Sequence, residues 1–259
     1  MNENTIQFSE IEKNNFLIES QARSILLFGH EGLERLRQVH VMVVGCGAVG
    51  GMAIEALARS GIGKITVVDF DTFTLSNLNR QILATLPVMG ISKTEVAAHR
   101  ILSINPTVQV VQKKVLVNAD TIDSLFNSPV DFVIDAIDSL NPKTILIESL
   151  IERKIPFISA MGAALKTDLS RICITQMKKT TQCPLAAFVR KRLRRRNIDL
   201  SFPVVYSDEC VSDKKHLGQP DSENGRHTMG SMMTVTGLFG LMCAHYAILF
   251  FMNRNETHD

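Results

Sequence analysis

Val41-Met42-Val43-Val44-Gly45-Cys46-Gly47-Ala48-Val49-Gly50 decides the fold. Its apolar, largely β-branched start fits a strand buried on both faces of a parallel sheet. The next six residues match G-x-G-x-x-G, and 53–60 continue in strong helix formers. A strand, a glycine turn and a helix in that order make a phosphate cradle. The glycines permit a tight turn, and backbone N–H groups meet the anion at the positive end of the helix. Gly61-Ile62-Gly63 places glycine where the helix must stop, and 65–68 form a second buried strand ending at Asp69. An acidic residue at the end of the strand after the cradle is placed to hold ribose hydroxyls.

Farther along the chain the alternation persists. Residues 94–104 read as a helix stopped by Asn105-Pro106, 108–117 as a strand and 119–127 as a helix. Phe132-Val133-Ile134 is a strand ending at Asp135, 142–153 a helix and 156–159 a further strand. Such alternation predicts an α/β, doubly wound, Rossmann-like and mostly parallel sheet, with ligands bound beyond the strand ends. Upstream, 21–40 fit one or two short helices. Residues 1–20 read as a tail or short helix, without the basic start and apolar run of a signal peptide. Three regions are expected: a tail (1–20), a nucleotide-binding α/β domain (21–178), and a C-terminal region (179–259) with a basic helix, a polar loop (207–227) and an apolar helix.

Composition narrows the field. The 259 residues suit one large domain or a domain with an appendage, and 45% hydrophobic against 21% charged residues is the balance of a globular chain. A net charge of +2 implies no partner by itself. The five cysteines, Cys46, Cys173, Cys183, Cys210 and Cys243, include no C-x-x-C pair. This argues against a paired-cysteine zinc site and for scattered reduced thiols. His216, His227 and His245 show no metal-ligand spacing.

Up to Asp69, NAD and ATP fit equally well. The stretch Asp71-Thr72-Phe73-Thr74-Leu75-Ser76-Asn77-Leu78-Asn79-Arg80-Gln81, followed by Lys93, separates them. Two cations close behind the ribose-binding strand suit a triphosphate that must lose pyrophosphate. Asp138, just beyond a later strand, is a natural ligand for the Mg2+ that travels with ATP.

Taken in order, the glycine loop, Asp69-Phe70-Asp71, Ser76-Asn77-Leu78-Asn79-Arg80-Gln81, Lys93 and Asp135-Ala136-Ile137-Asp138 resemble the ubiquitin-activating-enzyme superfamily. Its bacterial members include the activators of the molybdopterin and thiamin sulfur carriers. The resemblance implies adenylation of a carboxylate with magnesium ATP. It implies that Gly45, Gly47, Ala48 and Gly50 cradle the nucleotide and that Asp69 holds the ribose. Asp71 and Gln81 would line the site, and Asn77, Arg80 and Lys93 would contact phosphates. Arg80 would stabilise the departing pyrophosphate, and Asp138 would bind magnesium. Arg23 occupies the place of an arginine that reaches a partner subunit's nucleotide, so a homodimer is implied.

Within the superfamily, later features are similar to the tRNA threonylcarbamoyladenosine dehydratases. They are Cys183-Pro184-Leu185-Ala186-Ala187 leading into Arg190-Lys191-Arg192-Leu193-Arg194-Arg195-Arg196, then Tyr206-Ser207-Asp208-Glu209, and Gly230-Ser231. The resemblance implies a cytoplasmic enzyme that adenylates the threonine carboxylate of a modified adenosine in tRNA. Ring closure then expels AMP, with net loss of water. By itself the basic run reads as a solvated helix face, a basic loop or an RNA surface, and the resemblance favours RNA. A carrier-activating enzyme is the alternative, and a sulfur-relay protein is carried as a further partner. Cys183 and Cys210 both read first as structural cysteines, since the cyclisation needs no thiol; of the two, Cys183 is the better candidate for a reactive one, because cations follow it. Residues 228–252 contain no Asp, Glu, Lys or Arg and could span a bilayer. Thr234, Thr236 and His245 favour a core or dimer-interface helix instead, with membrane association left open.

Overall fold

The computed structural model describes residues 9–210, 217–220 and 227–253. Parts of the predicted 1–20 tail and 207–227 loop, including His216, lie outside the described residues. The chain runs α1 (Glu10–Ser20), α2 (Ala22–Arg37), β1 (His40–Val44), α3 (Ala48–Arg59), β2 (Lys64–Val68), α4 (Lys93–Ile104), β3 (Gln109–Lys113) and β4 (Phe132–Asp135). It continues through α5 (Leu140–Glu152), β5 (Phe157–Ala160), β6 (Ile172–Gln176), α6 (Pro184–Arg194), β7 (Pro203–Ser207), β8 (Leu217–Pro220), β9 (His227–Met229) and α7 (Met233–Met252).

The main sheet has the order β3-β2-β1-β4-β5-β7-β6. All neighbours pair in parallel except β6 with β7, so β6 is an antiparallel edge. From β1 the chain builds outward through β2 and β3, then returns to lay β4 and β5 on the other side. The reversal between β1 and β4 is a topological switch point, where the crevice outside the strand ends accepts a ligand. Alternate residues of β1 enter different cores. Val41 and Val43 face the layer of α3, α4 and α7, while Met42 and Val44 face the layer of α5 and α6.

Local chemistry explains where elements begin and end. Gly61 takes φ +81 immediately after the α3 cap at Ser60, the left-handed position that a helix stop requires. Gly29, at φ 72, breaks α2 into two pieces. The helix expected at 119–127 is instead a short 3-10 turn over Ile122–Phe126. The Asn118 amide oxygen accepts from the N–H groups of Asp120 and Thr121, and the Thr121 hydroxyl donates to Leu116 O. These side chains satisfy backbone groups that a helix would have used. The strand expected over 108–117 ends at Lys113.

The apolar segment forms α7 from Met233, shorter than the expected 228–252 because 227–229 form β9. It is long and apolar enough to cross a membrane, yet half of it is buried within the protein. It packs chiefly against α3. A methyl group at Gly240 would stand 2.2 Å from Val49 O, so the two helix backbones nearly touch. Val235, Phe239, Cys243, Ala244, Ala247 and Phe251 belong to the main core.

His40, at the start of β1, is buried with both ring nitrogens engaged. Nδ1 lies 2.6 Å from Pro129 O and Nε2 2.7 Å from Thr66 Oγ1, an arrangement satisfied by the neutral ring. Burial holds its pKa below the usual value; Lys64 adds to this, while Pro129 O and Asp131 oppose it. The unfolded chain therefore takes up a proton at a pH where the folded chain does not. The stabilisation is complete above about pH 6.5, the unfolded value, and is lost as pH falls toward the lower folded value. Urea midpoints should fall from pH 7.5 to pH 5.5 in the wild type and fall less in His40→Gln. Equal slopes in the two proteins would remove His40 as the source.

Candidate nucleotide-binding site

β1 runs directly into the glycine loop. Gly45 adopts φ +96, and a Cβ there would sit 2.8 Å from Ala136 O. A Cβ at Gly50 would sit 1.7 Å from Gly45 O, so no larger residue fits. Gly47 is the N-cap of α3, Ala48 is its first residue, and the first turn carries no acidic side chain. The N–H groups at this end thus keep their positive potential for a ligand. An added Cβ at Gly47 would make only ordinary contacts, the nearest with Gln81 Nε2 at 3.8 Å. Gln81 is buried and its Oε1 has no hydrogen-bond partner. An amide with bonding capacity to spare beside an uncapped helix end fits a polar ligand seated there.

Asp69 stiffens the cradle. Its Oδ2 accepts from Cys46 N at 2.6 Å and its Oδ1 from Asp71 N at 2.9 Å. Asp71 in turn holds the buried Lys93, whose Nζ lies 3.0 Å from Asp71 Oδ2 and 6.0 Å from the Phe73 ring centre. The segment after β2 folds back through a short 3-10 turn, Leu75–Asn77, in which the buried Asn77 accepts from Thr74 N through Oδ1. Arg80 is half-buried, and its Nη1 donates to Ser76 O at 2.8 Å and to Asn79 Oδ1 at 2.9 Å. Asn79 Nδ2 donates to Ser231 O at 3.0 Å, which ties the arginine's neighbour to the segment leading into α7.

One strand along the sheet, the β4–α5 loop meets the cradle through Ala136 N donating to Val44 O. Asp138 is exposed on this loop and accepts from Ser139 Oγ at 3.2 Å. A single carboxylate beside a phosphate site suits Mg2+, which keeps most of its shell as water and substrate oxygen.

The sheet thus gathers Gly45, Gly47, Ala48, Gly50, Asp69, Asp71, Asn77, Arg80, Gln81, Lys93 and Asp138 along the carboxyl edge of β1, β2 and β4. It does not bring Arg23 there. Gln21, two residues earlier, donates to Arg59 O at the last turn of α3, the end opposite the cradle. With a rise of about 1.5 Å per residue, the length of α3 separates Arg23 from its own chain's site.

Beneath the loop, Asp135 of the Asp135–Asp138 motif is joined by two residues that no sequence motif marks, Lys143 and Ser159. Lys143 Nζ lies 2.7 Å from Asp135 Oδ2, Ser159 Oγ donates to the same oxygen at 2.6 Å, and all three side chains are fully buried. Asp135 Oδ1 also accepts from Ile137 N, so this cluster fixes the turn that carries Asp138. The one available hint is a lysine in register with the apolar positions Leu146, Ile147 and Leu150 of α5. Glu209 organises a second loop. Its carboxylate accepts from Thr167 N, Thr167 Oγ1 and Asp168 N, and Lys166 Nζ donates to its main-chain oxygen. The loop after β5 is thereby held at the same edge of the sheet. Burial pulls the Lys166 pKa down.

The preference for Cys183 as a reactive thiol is corrected. Cys183 is buried at the N-cap of α6, where attack on a substrate is blocked, and Cys210 is the exposed thiol of the two. All five cysteines are free, and burial pushes the thiols of Cys46 and Cys243 well up. The basic run occupies α6 and the turn after it, but only part of it is available. Arg190 donates to Thr180 Oγ1, Arg192 to Asn141 and Thr144, and Arg196 pairs with Glu148.

A glycine loop that opens onto an uncapped helix N-terminus at the switch point of a mostly parallel sheet is the architecture of a doubly wound nucleotide-binding protein. The chain belongs to the ThiF family, matched over residues 20–258. It is 41% identical to the tRNA threonylcarbamoyladenosine dehydratase of Bacillus subtilis, over 74% of this chain and 76% of that one. With the dehydratase of Escherichia coli it shares 35% identity over 86% and 89% of the two chains. The crystal structure of the E. coli tRNA N6-threonylcarbamoyladenosine dehydratase in complex with ATP superimposes with a TM-score of 0.84 at 32% identity, covering 98% of this chain and 100% of that one.

Proposed function

We propose that this chain is an ATP-dependent dehydratase of threonylcarbamoyladenosine in tRNA. The observation that carries the reading is the end-to-end match to an ATP-bound dehydratase, in a chain whose glycine loop opens onto an uncapped helix N-terminus. The threonine carboxylate attacks the α-phosphate of ATP and pyrophosphate leaves. A nitrogen of the threonylcarbamoyl group then closes on the activated carbonyl, its proton departs and AMP leaves with the carboxylate oxygen. The nucleoside has lost one water.

In this reading the N–H groups at the start of α3 hold phosphate and Asp69 holds the ribose. Asn77, Arg80 and Lys93 neutralise the charge that builds on pyrophosphate, with Lys93 aimed by Asp71. Magnesium, held by Asp138, would supply further neutralisation of that charge. The remote position of Arg23 suits service to a partner subunit's nucleotide in a homodimer. A tRNA substrate fits a cytoplasmic enzyme, and the packing of α7 against α3 accounts for its apolar sequence without a membrane. Activation of a sulfur carrier has less behind it, because the thiol with the most cationic surroundings in sequence, Cys183, is buried.

The deciding experiment incubates tRNA bearing threonylcarbamoyladenosine with the protein and magnesium ATP, then weighs the nucleosides. Loss of one water with formation of AMP is expected. An unchanged nucleoside, from protein that binds ATP, would overturn the reading and favour a protein carrier.

The RNA surface makes its own prediction. Lys191, Arg194 and Arg195 are the exposed cations of α6 and its end that make no ion pair among the described residues. Replacing all three with alanine should weaken tRNA binding and lower the slope of log affinity against log salt by about 0.7–0.9 for each phosphate no longer neutralised. ATP affinity should not change. Unaltered tRNA affinity would place the RNA surface elsewhere.

A further inference from the structure

α6 has two unlike sides. Ala186, Val189 and Leu193 are buried, and Arg192 and Arg196 on one flank tether the helix to α5. Arg190 on the other flank donates to Thr180. The outward arc carries Phe188, Lys191, Arg194 and Arg195. Phe188 is 59% exposed, and it stands three residues before Lys191 and seven before Arg195, so the three form one stripe. A single exposed phenylalanine is ordinary on a protein surface. A ring flanked by cations that the fold leaves unpaired, on a helix whose other cations are all engaged, has the composition of a nucleic-acid stacking platform.

Resting on the tRNA reading above, we propose that Phe188 receives an unpaired base of the tRNA on its ring while Lys191 and Arg195 hold the flanking phosphates. Sequence-tolerant stacking on aromatics between cations is how single-stranded segments are gripped, and proteins recognise RNA mainly where loops splay their bases. The position suits the reaction. Arg192 is bonded to Asn141 in the first turn of α5, which begins two residues after Asp138, so a nucleotide held on α6 is referred directly to the nucleotide-binding edge.

The chain contains no tryptophan, so Phe188→Trp creates a single reporter at the proposed contact. Its fluorescence should be quenched on addition of tRNA, and its affinity should stay near that of the wild type. Phe188→Ala should bind tRNA about five- to a hundredfold more weakly, the effect expected for loss of one stacked base. Its salt slope should equal the wild-type slope, because every phosphate keeps its cation, whereas Arg195→Ala should lower the slope. Phe188 is exposed, so these changes leave the fold intact, which thermal unfolding will confirm. Wild-type affinity in Phe188→Ala with an unquenched reporter would overturn the inference while leaving dehydration standing. A reporter that responds to protein concentration and not to RNA would seat a second copy of the chain on this face, and equally overturn it. A wild-type protein that neither binds nor dehydrates tRNA would fail the underlying reading as well.

Discussion

Arg80→Ala should retain the fold and lose about a thousandfold in the rate of AMP formation. That magnitude follows from the cost of removing a cation from a departing phosphoryl group, about 10³–10⁵, or one donor from a developing oxyanion, about 10²–10³. Arg80 is half-buried and, among the described residues, its guanidinium bonds only to its own loop, to Ser76 O and Asn79 Oδ1, so little stability depends on it. ATP should still bind, since the helix N-terminus and Lys93 remain. Arg80→Lys should recover part of the rate, because it restores the charge but not the planar fork that grips two oxygens. Pyrophosphate exchange and thermal unfolding, measured together, separate lost catalysis from lost structure. A rate within threefold of the wild type would remove Arg80 from the chemistry.

Lys143→Met should instead destabilise the protein by about 3–5 kcal/mol, the usual cost of leaving a buried charge without its partner. The melting temperature should drop by on the order of 10 °C for a chain of this size. Lys143 and Asp135 are both fully buried and 2.7 Å apart, with no solvent to take over when one is removed. The double change Asp135→Asn with Lys143→Met removes both charges and should recover much of the loss. Ser159 Oγ and Ile137 N can still bond to the asparagine. If the double variant were no more stable than Lys143→Met, the buried ion pair would not be the source of the effect.

The sheet was legible because its central strands are uninterrupted apolar runs and the cradle that follows β1 is written in glycines. Neither signal depends on distant contacts. At Gly45 and Gly50 an added Cβ would sit 2.8 and 1.7 Å from backbone oxygens, so local sequence carries that part of the site. The places of Arg80, Lys93 and Asp138 after strands single them out in the sequence, and the fold puts them past the carboxyl ends of β2 and β4. The Lys143–Asp135–Ser159 cluster was not, because its members come from a helix and two strands that meet only when the sheet forms. The free and tethered halves of the basic run were equally invisible, since Arg192 and Arg196 find partners on α5, some fifty residues earlier. The turn at 122–126 misled for a nearer reason: the polar side chains of Asn118 and Thr121 outcompeted helix formation.

The close approach of Gly240 to Val49 has a consequence for biosynthesis. α7 follows every strand of the large sheet in the chain, yet it packs beside α3, the helix that starts at the cradle, and against β4, β5 and β7. A growing polypeptide therefore has its glycine loop and all seven strands before it has the cover for α3, and Phe239, Ala244 and Phe251 are missing from the core until then. At translation rates of about 5–20 residues per second, making the 20 residues of α7 alone takes about one to four seconds. During that interval the nascent chain presents an oily back to the ribosome's surroundings, where chaperones compete with aggregation. A chain that stops before residue 233 lacks Phe239, Ala244 and Phe251 and leaves that side of α3 uncovered.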